Sequence, residues 1–238
     1  MNLSEIKVFR MTHIDNIPHI LQNGITHKNS PNANVNYVSI GDNSLIDTRA
    51  SKTIQVTNGT LDYGDAKRIC LGDFIPFYFW LRMPMLYIIQ RGFHNVVKRN
   101  PEEIVYLVCI PSKLADQYSE VYFSDGHAAD KFSVLYDKTA LNKIETILDW
   151  KAIKARDWGG DENLDIKRKK EAEFLVKADI ASDFIIGFGC YNEVAKQKLI
   201  SFGIEEVKIK VIHKYYYLSS SYNFIYLQFI KSGSYGNF

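Results

Sequence analysis

Residues 167–176 read KRKKEAEFLV: four cationic side chains run into an apolar stretch that carries Glu171 and Glu173. The β-branched and aromatic content of EAEFLV suits a strand, whose side chains alternate between faces. Glu171, Glu173 and Leu175 would then share one face, and Ala172, Phe174 and Val176 the other. Two carboxylates about 7 Å apart along a strand are costly beside a sheet core unless they are paired or put to use. The bland account pairs both with the preceding cations on an edge strand; the functional one keeps a fixed anion for chemistry. Other polar residues also interrupt apolar contexts: Thr12, His13 and Asn16 in MTHIDN, Arg49 in IGDNSLIDTRA, Tyr78 in PFYF and His127 in SDGHAA. On spacing alone His13 suits a helix cap as well as a ligand, Arg49 suits a solvated helix end, and Tyr78 suits core packing.

Short elements must position these residues. KVFRMTH reads as a strand, and NIPHILQNGI as a short helix stopped by Gly24. NSPNANVN is a loop of turn formers, YVSIG is strand-like, and DNSLIDTRAS is a helical turn with Asp42 or Ser44 as its cap. Asn58-Gly59 marks a hairpin-type turn. DFIPFYFWLRMPMLYIIQRG reads as a strand and then a helix from Pro84, where a proline suits the first turn. EEIVYLVCI, VYFSDGHAA, FIIGFGCY and EVKIKVIHKYYYL are further strands, and NEVAKQKLISFG is a helix. Strands outnumber helices without one-to-one alternation, so a mixed α+β domain is expected rather than a doubly wound sheet.

Composition narrows the classes. A chain of 238 residues, 46% hydrophobic and 24% charged, can bury one sizeable core. No run is long enough to cross a bilayer, and the first residues lack an apolar leader core, so no membrane partner is expected and the cytoplasm is the default. Cys70, Cys109 and Cys190 are widely spaced with no ligand pattern, which points to neither disulfides nor a metal. There is no phosphate-binding G-x-x-x-x-G-K-[ST], no H-E-x-x-H and no G-x-S-x-G, and GFG at 187–189 is too short for a dinucleotide fingerprint. The net charge of +2 implies no polyanionic partner by itself. Residues 151–170, however, hold seven Lys/Arg against four Asp/Glu, and RGFHNVVKR holds three Arg/Lys and a histidine with no acid.

Taken in order, THIDNIPHILQNGI, SIGDNSLIDTRA, GDFIPFYFWLRMPMLY, EEIVYLV, FSDGHAA, LDWKAIKARDW and EAEFLV resemble the DarT family of DNA ADP-ribosyltransferase toxins. The resemblance runs from about Phe9 to about Tyr217. It implies an ADP-ribosyltransferase (PARP-like) fold, with mixed central β-sheets and peripheral helices, in a domain over residues 1–218. The tail 219–238 lies beyond it and has no assigned role. The implied activity is a glycosyl transfer in which NAD is consumed as substrate and a base in single-stranded DNA, usually thymidine, accepts ADP-ribose. No metal takes part, and the implied partner is a macrodomain antitoxin that removes the mark.

Breaking the nicotinamide–ribose bond passes through an oxocarbenium-like state, which needs a fixed anion near the ribose. The resemblance gives that role to Glu173, with Arg49 matching an arginine over the NAD site that can grip a phosphate or ease deprotonation of a thymine imide. Thr12, His13, Asn16 and Tyr78 are the further NAD-binding candidates. His127, Arg156, Trp158, Lys167 and Arg168 are the acceptor candidates, the cations neutralising phosphates in a loop before the catalytic strand and Trp158 offering a stacking face. Glu171 departs from the glutamine common in the family. The E-x-E spacing keeps open a protein-directed transferase or an NAD-hydrolysing toxin, and a non-enzymatic nucleic-acid binder is disfavoured because histidine, arginine and glutamate are all present.

Overall fold

The computed structural model describes residues 3–60, 64 and 66–217, so the tail 219–238 lies outside the described residues. In chain order the elements are β1 (Val8–His13), α1 (Ile17–Asn23), α2 (Asn43–Ser51), β2 (Thr53–Gln55), β3 (Arg68–Cys70), β4 (Ile75–Tyr78), α3 (Pro84–Arg91), β5 (Ile104–Cys109) and α4 (Pro111–Gln117). They continue with β6 (Val121–Ser124), β7 (Leu135–Asp137), α5 (Ile144–Ile147), α6 (Trp150–Lys154), α7 (Leu164–Lys170), β8 (Glu173–Val176), β9 (Gly187–Cys190), α8 (Glu193–Ser201) and β10 (Ile209–Val211). Eight strands form one sheet in the order β10-β9-β5-β1-β4-β8-β6-β7, antiparallel throughout except for the parallel β9–β10 pair. The mixed α+β class follows, with helices packed around a largely antiparallel sheet.

The sheet divides at its middle. β1 pairs with β5 over six residues and β4 with β8 over four, whereas β1 and β4 meet at the single pair Phe9↔Tyr78. On one face a continuous core joins both halves, through Val105 and Leu107 on one side and Phe77, Phe123, Phe174 and Val176 on the other. On the opposite face the core is two separate clusters. Ile104 and Tyr106 pack with Leu86, Tyr87 and Trp158, while Tyr122 and Leu175 pack with Phe74 and Leu135. Strand alternation sends Tyr78 and Glu173, direct partners in register, toward the gap between those clusters.

Several local expectations change. YVSIG forms no strand; the Asn16 side chain clamps Val38 instead, donating to its carbonyl at 2.9 Å and accepting from its N–H at 2.9 Å. Asp42 is the α2 cap, accepting from the N–H groups of Ser44 and Leu45. Asn58 and Gly59 do form a left-handed turn, with φ of 52° and 78°. The cations before β8 lie on the helix α7 rather than in a loop, and Glu171 caps that helix, so β8 begins only at Glu173.

Candidate active site

Glu173 opens β8 with no accessible surface, at a depth where an isolated carboxylate would be protonated. It is held instead by converging donors. Arg49 reaches it from the last turn of α2 in a two-pronged bond, Nη1 to Oε1 at 2.9 Å and Nη2 to Oε2 at 2.8 Å. The Ala128 N–H donates to Oε1 at 2.9 Å, and His127 Nε2 stands 4.0 Å from the same oxygen. Burial pushes the carboxyl upward, but the charges of Arg49 and His127 and these hydrogen bonds outweigh it and hold Glu173 below the usual carboxylate range. Burial alone would lower the Arg49 pKa; the adjoining Glu173 carboxylate reverses that and raises it.

A cavity of about 370 Å³ opens in front of this pair. β1 contributes Arg10 and Met11, β4 contributes Pro76 and Tyr78, α2 contributes Arg49, and His127 lines it from the loop after β6. Its size lies within the range of small-molecule and cofactor sites. Tyr78 lies directly across the ladder from Glu173, and its hydroxyl pKa is raised by burial and by the Glu173 charge. Arg10 donates to the Pro76 carbonyl at 2.9 Å across the seam, satisfying an acceptor that the sparse β1–β4 pairing leaves over. Among the described residues no group of histidines, cysteines and acids could hold a metal, and no helix is long and apolar enough to cross a membrane.

The structure brings Glu173, Arg49, Tyr78 and His127 together and places the other candidates elsewhere. Thr12, His13 and Asn16 are buried and do not line the cavity. Asn16 Nδ2 donates to Thr12 Oγ1 at 3.0 Å, so the pair anchors the segment around Val38 whose neighbours Tyr37 and Ser39 form the cavity wall. His13 caps the turn after β1 by accepting from the Asp15 N–H, and its Nε2 faces Glu103 Oε1 at 3.3 Å. Trp158 must be corrected outright: it is 1% exposed, with Nε1 donating to the Tyr217 hydroxyl at 3.0 Å, so its ring is core and not a platform for a base. Arg168 is turned inward onto Asp125, Ser133 and Asp165, whereas Arg156 is exposed and Lys167 half-buried. Lys170 is fully buried, donating to the Ile153 and Ala155 carbonyls, and burial pushes its pKa down to about 8.

Two participants were not singled out from sequence. Ala128 supplies only a backbone N–H, which no residue type encodes, although SDGHAA is rich in turn formers. Ser124 accepts from the Glu173 N–H at 3.1 Å and donates to the Gly126 carbonyl at 2.6 Å, tying β8 to that loop. Glu173 lies behind that cleft in the grip of the cleft-lining Arg49, and the fold around the pair is an ADP-ribosyltransferase fold. The chain matches the solved structure of Thermus sp. 2.9 DarT in complex with ADP-ribosylated ssDNA with a TM-score of 0.72 at 23% identity, covering 89% of this chain and 96% of that one. The same protein in complex with NAD+ matches with a TM-score of 0.66, over 89% and 98% of the two chains.

The family model for DarT, the ssDNA thymidine ADP-ribosyltransferases, matches residues 9–217, and the chain belongs to that family. It is an NAD-dependent DNA ADP-ribosyltransferase. A DNA ADP-ribosyl transferase of Escherichia coli O127:H6 is 33% identical over 201 residues, 84% of this chain and 86% of that protein. A DNA ADP-ribosyl transferase–DNA ADP-ribosyl glycohydrolase fusion protein of Thermosipho africanus is 27% identical over 172 residues, 71% of this chain and 38% of the fusion.

Proposed function

We propose that the protein is a toxin that moves ADP-ribose from NAD to the imide nitrogen of thymidine in single-stranded DNA, with Glu173 as the catalytic carboxylate. The observation that carries the assignment is a carboxylate kept ionised, with no exposure, in the grip of the cleft-lining Arg49. A ribose hydroxyl reaches it by replacing one of the two Arg49 bonds. The bond from the anomeric carbon to the nicotinamide nitrogen then breaks with its electron pair leaving on nicotinamide, and Glu173 opposes the positive charge that develops on the ribose. Electrostatic groups of this kind are worth about 2.7–4 kcal/mol of barrier. The imide nitrogen gives up its proton to solvent water and forms the new bond to that carbon; the Arg49 guanidinium stabilises the anionic base as it forms. Tyr78, opposite Glu173 in the ladder and on the cavity wall, stacks on nicotinamide in this reading, and His127, also on the wall, borders the acceptor.

Thr12 and Asn16 serve NAD through the wall segment around Val38, and His13 through the turn after β1 that it caps. Exposed Arg156 and half-buried Lys167 are the remaining acceptor-side cations. A protein that marks its host's DNA requires a partner that reverses the mark. The fused glycohydrolase of the Thermosipho relative supports a macrodomain antitoxin acting beside this chain in the cytoplasm. Incubation with labelled NAD and a mixed-sequence single-stranded oligonucleotide, beside a protein lysate, tests the reading. Label should enter thymidine-containing oligonucleotides; label confined to protein would overturn it. Expression of the chain alone should arrest growth, and expression of the Glu173→Ala form should not.

A further inference from the structure

We infer that Arg168 is a positioning residue for the catalytic carboxylate, acting through the loop 125–133, and is not a contact for the DNA backbone. The inference rests on the assignment of Glu173 above. The Arg168 side chain is 11% exposed, and its donors are already committed. Nη1 reaches Asp125 Oδ1 at 3.2 Å and Ser133 Oγ at 3.1 Å, so one nitrogen staples both ends of the loop. Nε and Nη2 both reach Asp165 Oδ1, at 3.0 and 2.8 Å. Four of the five N–H directions of a guanidinium are thereby used, and two carboxylates face its single charge, which leaves little to offer a phosphate.

The Arg168 main chain holds the middle of the same loop: its carbonyl accepts from the His127 N–H at 2.8 Å. The next residue along, Ala128, donates to Glu173, and the His127 ring lines the cavity. At Gly126 the guanidinium lies so close that an added Cβ would stand 2.5 Å from Nη1 and 2.7 Å from Ser133 Oγ. Only a residue without a side chain lets Arg168 lie flat on the loop backbone there. Arg168 therefore fixes, through three points on one loop, where the Ala128 donor meets the carboxylate.

The test compares Arg168→Gln, Arg168→Lys and Gly126→Ala with the parent, each first checked for folding by thermal melting. Readouts are NAD hydrolysis without DNA, transfer to an oligonucleotide, the pH profile, and oligonucleotide affinity at several salt concentrations. Positioning predicts that NAD hydrolysis falls about 10-fold in all three, lysine included, because an ammonium cannot span Asp125 and Ser133 together. The acidic limb of the pH profile should move upward, since a weakened Ala128 bond lets burial raise the Glu173 pKa. The salt slope of DNA binding should stay as in the parent. A slope reduced by about 0.7 in Arg168→Gln and restored in Arg168→Lys, with NAD hydrolysis intact, would overturn the inference in favour of a phosphate contact. If Arg168→Gln does not fold, Gly126→Ala decides alone, because it displaces the guanidinium and keeps its charge. Glu173→Gln is assayed in parallel: retained transfer there would sink the catalytic assignment itself, whatever Arg168 does.

Discussion

The turn at Glu171 and the first position of β8 at Glu173 lie two residues apart, and they impose opposite protonation behaviour on the same side chain. At Glu171 burial raises the carboxyl pKa, and the nearby charges of His127 and Lys167 do not reverse it. At Glu173 burial is complete, but a two-pronged arginine and a backbone donor pull the pKa below its ordinary value of 4.5. The difference teaches that depth does not choose the charge state here; committed donors do. The strand position receives them from α2 and from the 125–133 loop, and the helix-capping position does not.

Removing the donor should break this contrast most strongly. Arg49→Ala leaves a buried carboxylate without its partner, and a loss of about 3–5 kcal/mol is expected in chemical denaturation. Adding Glu173→Gln to it should recover much of that stability, because no charge then remains to be stranded. Next in size, Glu173→Ala should slow transfer about 10²–10³-fold or more, whereas Glu171→Gln should change it less than about threefold. Equal losses in steady-state rate would make the two glutamates partners and erase the distinction. Tyr78→Ala is smaller again: loss of a stacking face worth about 0.5–1.5 kcal/mol should raise KM for NAD by up to about tenfold, with kcat little affected.

The smallest effect sharpens the comparison through pH. Because the folded Glu173 pKa is depressed, its contribution to stability is present above pH 4.5 and disappears as pH falls through its lower folded value. Glu171 has the opposite sign: its raised folded pKa means that stability declines as pH climbs from 4.5 through that higher value. Glu171→Gln should therefore match the parent's Tm near pH 4 and exceed it by about 1–3 °C at pH 7. A Tm gain that is the same at both pH values would place Glu171 in a solvated setting.

Much of this was legible in the residues, and what was not has local causes. Asp42 ahead of α2 and Pro84 at the start of α3 announced those helices through capping chemistry that acts within a turn. Glu173 and Arg49, 124 positions apart, stood out separately as charges set in apolar contexts and received their roles from the family resemblance; their contact belongs to the tertiary fold. KRKKEAEFLV misled in two ways. Four cations concealed the helix α7, since Lys170 fills an apolar environment by donating to two carbonyls, which hydropathy does not reveal. Alternation was also extended back to Glu171, although the strand starts two residues later. Trp158 shows the remaining limit: an aromatic ring between charged segments reads equally as platform or core, and only its burial among Tyr87 and Tyr217 decides. YVSIG has strand composition, but composition cannot supply a neighbouring edge, and Asn16 takes its Val38 backbone groups instead.

The seam at Phe9↔Tyr78 has a mechanical meaning. Two ladders joined by one register pair behave as panels with an expansion joint between them, in which β1 keeps its six partners on β5 and β4 its four on β8. Spreading the joint strains the one rung at Phe9↔Tyr78, the Arg10 strut to Pro76 and the core face the two panels share, while the rungs within either panel stay paired. The cavity sits on that joint, so its width follows the gap between the panels, while the spacing of Tyr78 and Glu173 is fixed within one panel by their own ladder.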